Sequence, residues 1–147
     1  MKNFFFNYPL LPDGYTKSDI KKAEKVLYSK QLTMSHITKK FEGYFAKKIG
    51  AKYAVMVNSG SSANLLSMFC ATNPLKKNHL KNGDECLVPA LCWSTSLSPV
   101  IQSGLKPVLV DVNINNFFKD LEKIKKNISK KTKAIVIINV LGNCSEI

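Results

Sequence analysis

The chain has 147 residues, 45% of them hydrophobic, and a formal net charge of +12, which places it in the size and composition range of one soluble globular domain. No apolar run approaches the ~20 residues of a membrane span, and Asn7, Pro9 and Pro12 interrupt an N-terminal patch that lacks a small-residue cleavage site, so neither a span nor a signal peptide is expected and a cytoplasmic location follows. All 22 basic residues are lysines scattered in short clusters; without the bidentate fork of arginine, a base-reading nucleic-acid interface is not expected, and solvated helix faces account for the charge.

Thr16 to Asp19 carries a capping-box pattern, and Ile20, Ala23, Val26 and Leu27 follow at helical spacing. After the link Gln31 to Met34, Ser35 is placed to cap a second helix with Ile37, Phe41, Tyr44 and Phe45 on one face. Gly50 is its natural stop, in the left-handed position past a helix end. These helices predict an N-terminal helical arm over residues 1–50, ahead of an incomplete α/β domain over 51–147.

From Lys52 strand and helix alternate. A strand is expected at 53–57 and a helix at about 62–72, ended by Asn73-Pro74 and followed by a Lys-rich loop to Gly83. Glu85 to Val88 is a short strand stopped by Pro89. Trp93 to Ser103 is a helix ended by Gly104, with Pro99 in or near its first turn or kinking it. Strands at 106–112 and 134–140 flank an amphipathic helix at 118–128, and the last strand is the most plainly apolar. This rhythm predicts an α/β fold, a mainly parallel sheet flanked by helices on both faces with right-handed crossovers. Because no helix remains to cover the last strand, a truncated chain is expected.

The turn Asn58-Ser59-Gly60-Ser61-Ser62 joins a strand directly to a helix. It has neither the lysine of a P-loop nor the three glycines of a dinucleotide fingerprint. Hydroxyls and free N–H groups at the positive end of a helix dipole nevertheless suit a single phosphomonoester, although an ordinary serine-capped helix would have the same residues. Trp93, the single tryptophan, follows the next strand and so falls on the same carboxyl edge of the sheet, where ligands of open α/β folds bind. A flat aromatic beside a phosphate cradle fits a planar aromatic phosphate cofactor, while alone it would read as a core or rim residue. Cys70, Cys86, Cys92 and Cys144 lack metal or redox spacing, His36 and His79 are isolated, and buried free thiols without a metal site are expected.

In this setting an ordered set of short matches runs through the chain: Leu32-Thr33-Met34, Phe41-Glu42, Tyr53-Ala54-Val55, Asn58 to Ala63, Gly83-Asp84-Glu85, Val88-Pro89-Ala90, Trp93-Ser94-Thr95, Val110-Asp111-Val112 and Leu141-Gly142-Asn143. The set resembles the N-terminal part of the DegT/DnrJ/EryC1/StrS family, pyridoxal-phosphate-dependent sugar aminotransferases of fold type I. The resemblance implies the large domain of that fold, with pyridoxal 5'-phosphate (or pyridoxamine 5'-phosphate) held at its phosphate by Gly60, Ser61 and Ser62 and stacked at its ring on Trp93. It implies no catalytic residue here, since the family's ring-nitrogen carboxylate and imine-forming lysine lie beyond Ile147.

The leading expectation is therefore an N-terminal fragment of a sugar aminotransferase for surface polysaccharide or lipopolysaccharide biosynthesis. It would act on a nucleotide sugar, with an amino acid such as glutamate as amino donor, and the complete enzyme is implied to be a homodimer. Asn139 stands where many members carry histidine. The wording of residues 60–65, the extended loop at 73–83 and the Leu141-Gly142-Asn143 segment lean towards the alternative, a 4-keto-6-deoxyhexose 3-dehydratase of the same family. A non-catalytic phosphate-ligand-binding remnant is the second alternative. Weak cofactor binding and no turnover are expected of this chain alone.

Overall fold

The computed structural model describes residues 14–113 and 121–139, and the chain divides after Met56 into two compact units. In the first unit, helix α1 (Lys17–Tyr28) opens on the expected capping box. Thr16 N–H donates to Asp19 Oδ2 at 2.9 Å and Asp19 N–H donates to Thr16 Oγ1 at 3.3 Å, so two helix-end donors are satisfied reciprocally. The Thr16 backbone N–H first, then the Thr16 hydroxyl donating to Asp19 Oδ2 at 2.7 Å, hold the Asp19 carboxyl down at about 2 with help from Lys22. Helix α2 (His36–Ile49) ends on Gly50 at φ 71°, the left-handed stop that its sequence predicts. Ser35 is its N-cap by position only: the residue is buried and its hydroxyl makes no capping bond.

Residues 53–57 do not form the expected strand. A strand exists through its ladder partners, and among the described residues none pairs with this segment. Met56 N–H is met by Glu42 Oε1 at 2.7 Å instead, and Tyr53, Val55 and Met56 are exposed.

In the second unit, helix α3 (Gly60–Thr72), strand β1 (Glu85–Pro89), helix α4 (Ser94–Gln102), strand β2 (Lys106–Val110), helix α5 (Leu121–Asn127) and strand β3 (Thr132–Ile135) follow in order. The sheet is β2-β1-β3, parallel throughout. Both faces of β1 are covered at its centre: Cys86, Leu87 and Val88 are successive residues on alternating sides and all are inaccessible, as a central parallel strand requires. Cys86 and Val88 pack with Val100 of α4 and Leu105, with Met68 of α3 against them.

Glu85 anchors the start of β1 to both neighbours. Its carboxylate accepts from Ser129 Oγ at 2.6 Å and pairs with Lys106 Nζ at 3.6 Å. The Ser129 hydrogen bond, then Lys106, hold it below the usual carboxylate range against a desolvation penalty. Gly104 ends α4 at φ 82°, where its carbonyl accepts from Gly83 N–H at 2.9 Å.

Two expectations are corrected here. The last strand runs Thr132–Ile135 instead of starting at 134 and continuing through 139, and this segment is not buried throughout: Ile135 and Ile137 are 42% and 45% exposed. It is an edge strand among the described residues, so only alternate side chains meet the core. Pro99 sits at the sixth position of α4, just past its first turn. Of the described thiols only Cys86 is buried; Cys92 is half-buried and Cys70 exposed. The expected Phe118 to Asp120, Val140, Leu141 to Asn143 and Cys144 lie outside the described residues.

Candidate functional site

Strand β1 delivers the chain to the carboxyl edge of the sheet. There Ala90 N–H donates to the carbonyl of Val110, the last residue of β2, at 2.8 Å. Cys92 then packs against the core, and the next residue, Trp93, is 81% exposed. Trp93 is also the N-cap of α4, with extended backbone and its carbonyl accepting from Ser96 N–H at 2.9 Å. The indole is thus carried by a rigid helix start while its faces stay open.

Ser59 caps α3. Its Oγ accepts from Ser62 N–H at 3.1 Å and its hydroxyl donates to Ser62 Oγ at 3.1 Å, while Ala63 N–H bonds to the Ser59 carbonyl within the helix. The first-turn N–H groups of Gly60 and Ser61 have no partner among the described residues, which is the usual deficit of a helix N-terminus. A Cβ built on Gly60 would meet nothing within 4 Å, so the approach to these donors is open.

What brings the two helix starts together is a side chain given no role in advance. Asn64 Nδ2 donates to the Thr95 carbonyl at 3.2 Å, linking the second turn of α3 to the first turn of α4, and the two helices pack along each other. Gly60, Ser61 and Ser62 on one helix and Trp93 on the other therefore stand at the same end of one helix pair. The stretches Ser59 to Asn64 and Ala90 to Thr95 contain no lysine, histidine or carboxylate. This arrangement can hold an anionic, flat ligand through neutral donors and a helix dipole; it offers no group to move a proton. Among the described residues no cluster could hold a metal ion, and no helix is long and apolar enough to cross a membrane.

Residues 14–147 match the model of the DegT/DnrJ/EryC1/StrS aminotransferase family. The chain is 47% identical over 137 residues, 93% of its length and 35% of the relative's, to the GDP-4-keto-6-deoxy-D-mannose 3-dehydratase of Escherichia coli O55:H7. It is 41% identical over 143 residues, 97% of its length and 36% of the relative's, to the enzyme of the same name from Yersinia pseudotuberculosis. Among solved structures it superposes on a GDP-4-keto-6-deoxymannose-3-dehydratase with a trapped PLP-glutamate geminal diamine at a TM-score of 0.86 and 45% identity, covering 95% of this chain and 36% of that one. The chain thus spans about a third of the length of these relatives.

Proposed function

Because the chain belongs to the DegT/DnrJ/EryC1/StrS aminotransferase family, we propose that it is the cofactor-holding part of a pyridoxal-phosphate enzyme acting on a nucleotide-linked 4-keto-6-deoxy sugar, and that the reaction is 3-dehydration. The sequence alone put transamination first. The observation that reverses this order is the identity of 41–47% to two 3-dehydratases across nearly the whole chain.

The residues present fit the cofactor. The unpartnered N–H groups of Gly60 and Ser61, with the hydroxyls of Ser61 and Ser62, would take the phosphate at the start of α3. The open face of Trp93 would take the pyridine ring. When bound, such a cofactor supplies an electron sink for loss of a hydroxyl next to a ketone. The contribution of this chain is to bind and orient it: Ser59 fixes the conformation of Ser62, and α4 fixes Trp93. With no acid or base among these residues, we assign the chain no proton transfer.

The deciding experiment supplies the protein that carries this chain with GDP-4-keto-6-deoxymannose, pyridoxal phosphate and glutamate, and analyses the sugar by mass spectrometry. A product lacking the 3-hydroxyl oxygen is expected. An amino sugar retaining that oxygen would return the reading to an aminotransferase. Unchanged sugar together with saturable cofactor binding would leave only a binding role.

A further inference from the structure

We infer that Asn64 is a positioning residue, whose side-chain amide replaces the backbone donor that Pro99 removes from α4 and so holds Trp93 in register with the Ser59 to Ser62 turn. Pro99 lies inside α4 and is buried. It has no N–H, so the carbonyl four residues earlier, that of Thr95, loses its helical donor, and the proline ring crowds that carbonyl away from the helix axis. The Thr95 carbonyl stands at the exposed edge of the helix pair, where a neighbouring donor competes with water for it. Asn64 Nδ2 meets the Thr95 carbonyl at 3.2 Å, across 31 residues of sequence.

Thr95 is two residues beyond the Trp93 cap, so α4 cannot turn about its axis or slide along α3 without breaking this bond. The proline thus has a use: it frees one carbonyl at the height of the tryptophan for a neighbour to grip. The consequence for the cofactor rests on the function proposed above, whereas the coupling of Asn64 to Pro99 and Trp93 does not.

The test is a double-mutant cycle on the 147-residue chain, in which Trp93 is the single tryptophan and gives one indole N–H cross-peak in a proton–nitrogen spectrum. Asn64→Leu is expected to displace that peak and to lower the folding equilibrium constant about two- to tenfold, the range of one net hydrogen bond. Pro99→Ala returns an N–H to the Thr95 carbonyl. In that background Asn64→Leu should leave the indole peak in place and change the folding equilibrium less than about twofold. An equal displacement in both backgrounds, or an unmoved peak in a folded Asn64→Leu chain, overturns the inference. Should Asn64→Leu fail to fold, recovery of folding by Pro99→Ala supports it and failure of the double variant overturns it. Titration with pyridoxal phosphate then separates the two ideas. A coupled cycle without quenching of Trp93 refutes the cofactor reading alone, and quenching that weakens in Asn64→Leu and returns with Pro99→Ala joins them.

Discussion

Trp93 leaves most of a large aromatic surface in water, at odds with the usual fate of tryptophan. Within this chain Trp93 is covered by little, so Trp93→Ala should shift the stability of the 147-residue chain by less than about 0.5 kcal/mol, as exposed substitutions do. The same change should weaken pyridoxal phosphate binding about two- to tenfold through lost stacking. Thermal unfolding and an absorbance titration measure the two effects separately; a large loss of stability would make Trp93 a structural residue. Glu85 is the opposite kind of residue, mostly covered and bonded on both sides. Its folded pKa is depressed, chiefly by Ser129, so its stabilising effect is full above the carboxylate's ordinary value and disappears as pH falls through the folded one. Urea unfolding followed from neutral pH into that acidic window should show a smaller loss of stability for Glu85→Gln than for the unmodified chain. Parallel curves would refute this.

Helix ends are where the elements test most sharply. The reciprocal bonds of Thr16 and Asp19 were legible in the residues, because a capping box is local and its partners are three positions apart. Thr16→Ala should cost about 1 kcal/mol of α1 stability, read as fraying in amide exchange of Lys17 to Ile20. With the Asp19 pKa depressed to about 2, the cap persists through mild acid and fails only as pH approaches that value. At the end of α4, Gly104 has φ 82° and an added Cβ would lie 3.1 Å from Asn82 Oδ1. Gly104→Ala should therefore cost about 1–2 kcal/mol, and a variant as stable as the parent would show that the turn relaxes freely. Strand limits were less legible. Nothing local distinguishes residues 53–57 from β1, since both are short apolar runs and only a partner makes a ladder.

At the scale of the whole chain, the second unit has a small core centred on β1. Leu87 is inaccessible, and Leu87→Ala should cost about 2–5 kcal/mol, enough to unfold much of a marginal domain. Exposed apolar side chains of the same unit include Leu109, Ile135 and Ile137. Such surface drives association, and an apolar edge strand invites it. Sedimentation should show concentration-dependent self-association that Ile135→Lys with Ile137→Lys reduces; no change in the double variant would place the contact elsewhere.

The sequence by itself determined what depends on neighbours in the chain. It carried the cap at Thr16, the stop at Gly50, the alternation of strand and helix, and the serine-rich helix start at Gly60 to Ser62. The ordered motifs also carried the family. The order β2-β1-β3, the exposure of Ile135 and Ile137, and the engagement of Ser62 N–H by Ser59 were decided in three dimensions. So was the partner of Thr95: Pro99 announced that a carbonyl would lack its donor, but only the packing of α3 on α4 could choose Asn64 to supply one, because hydrogen bonds between elements follow distance in space and not position in the chain.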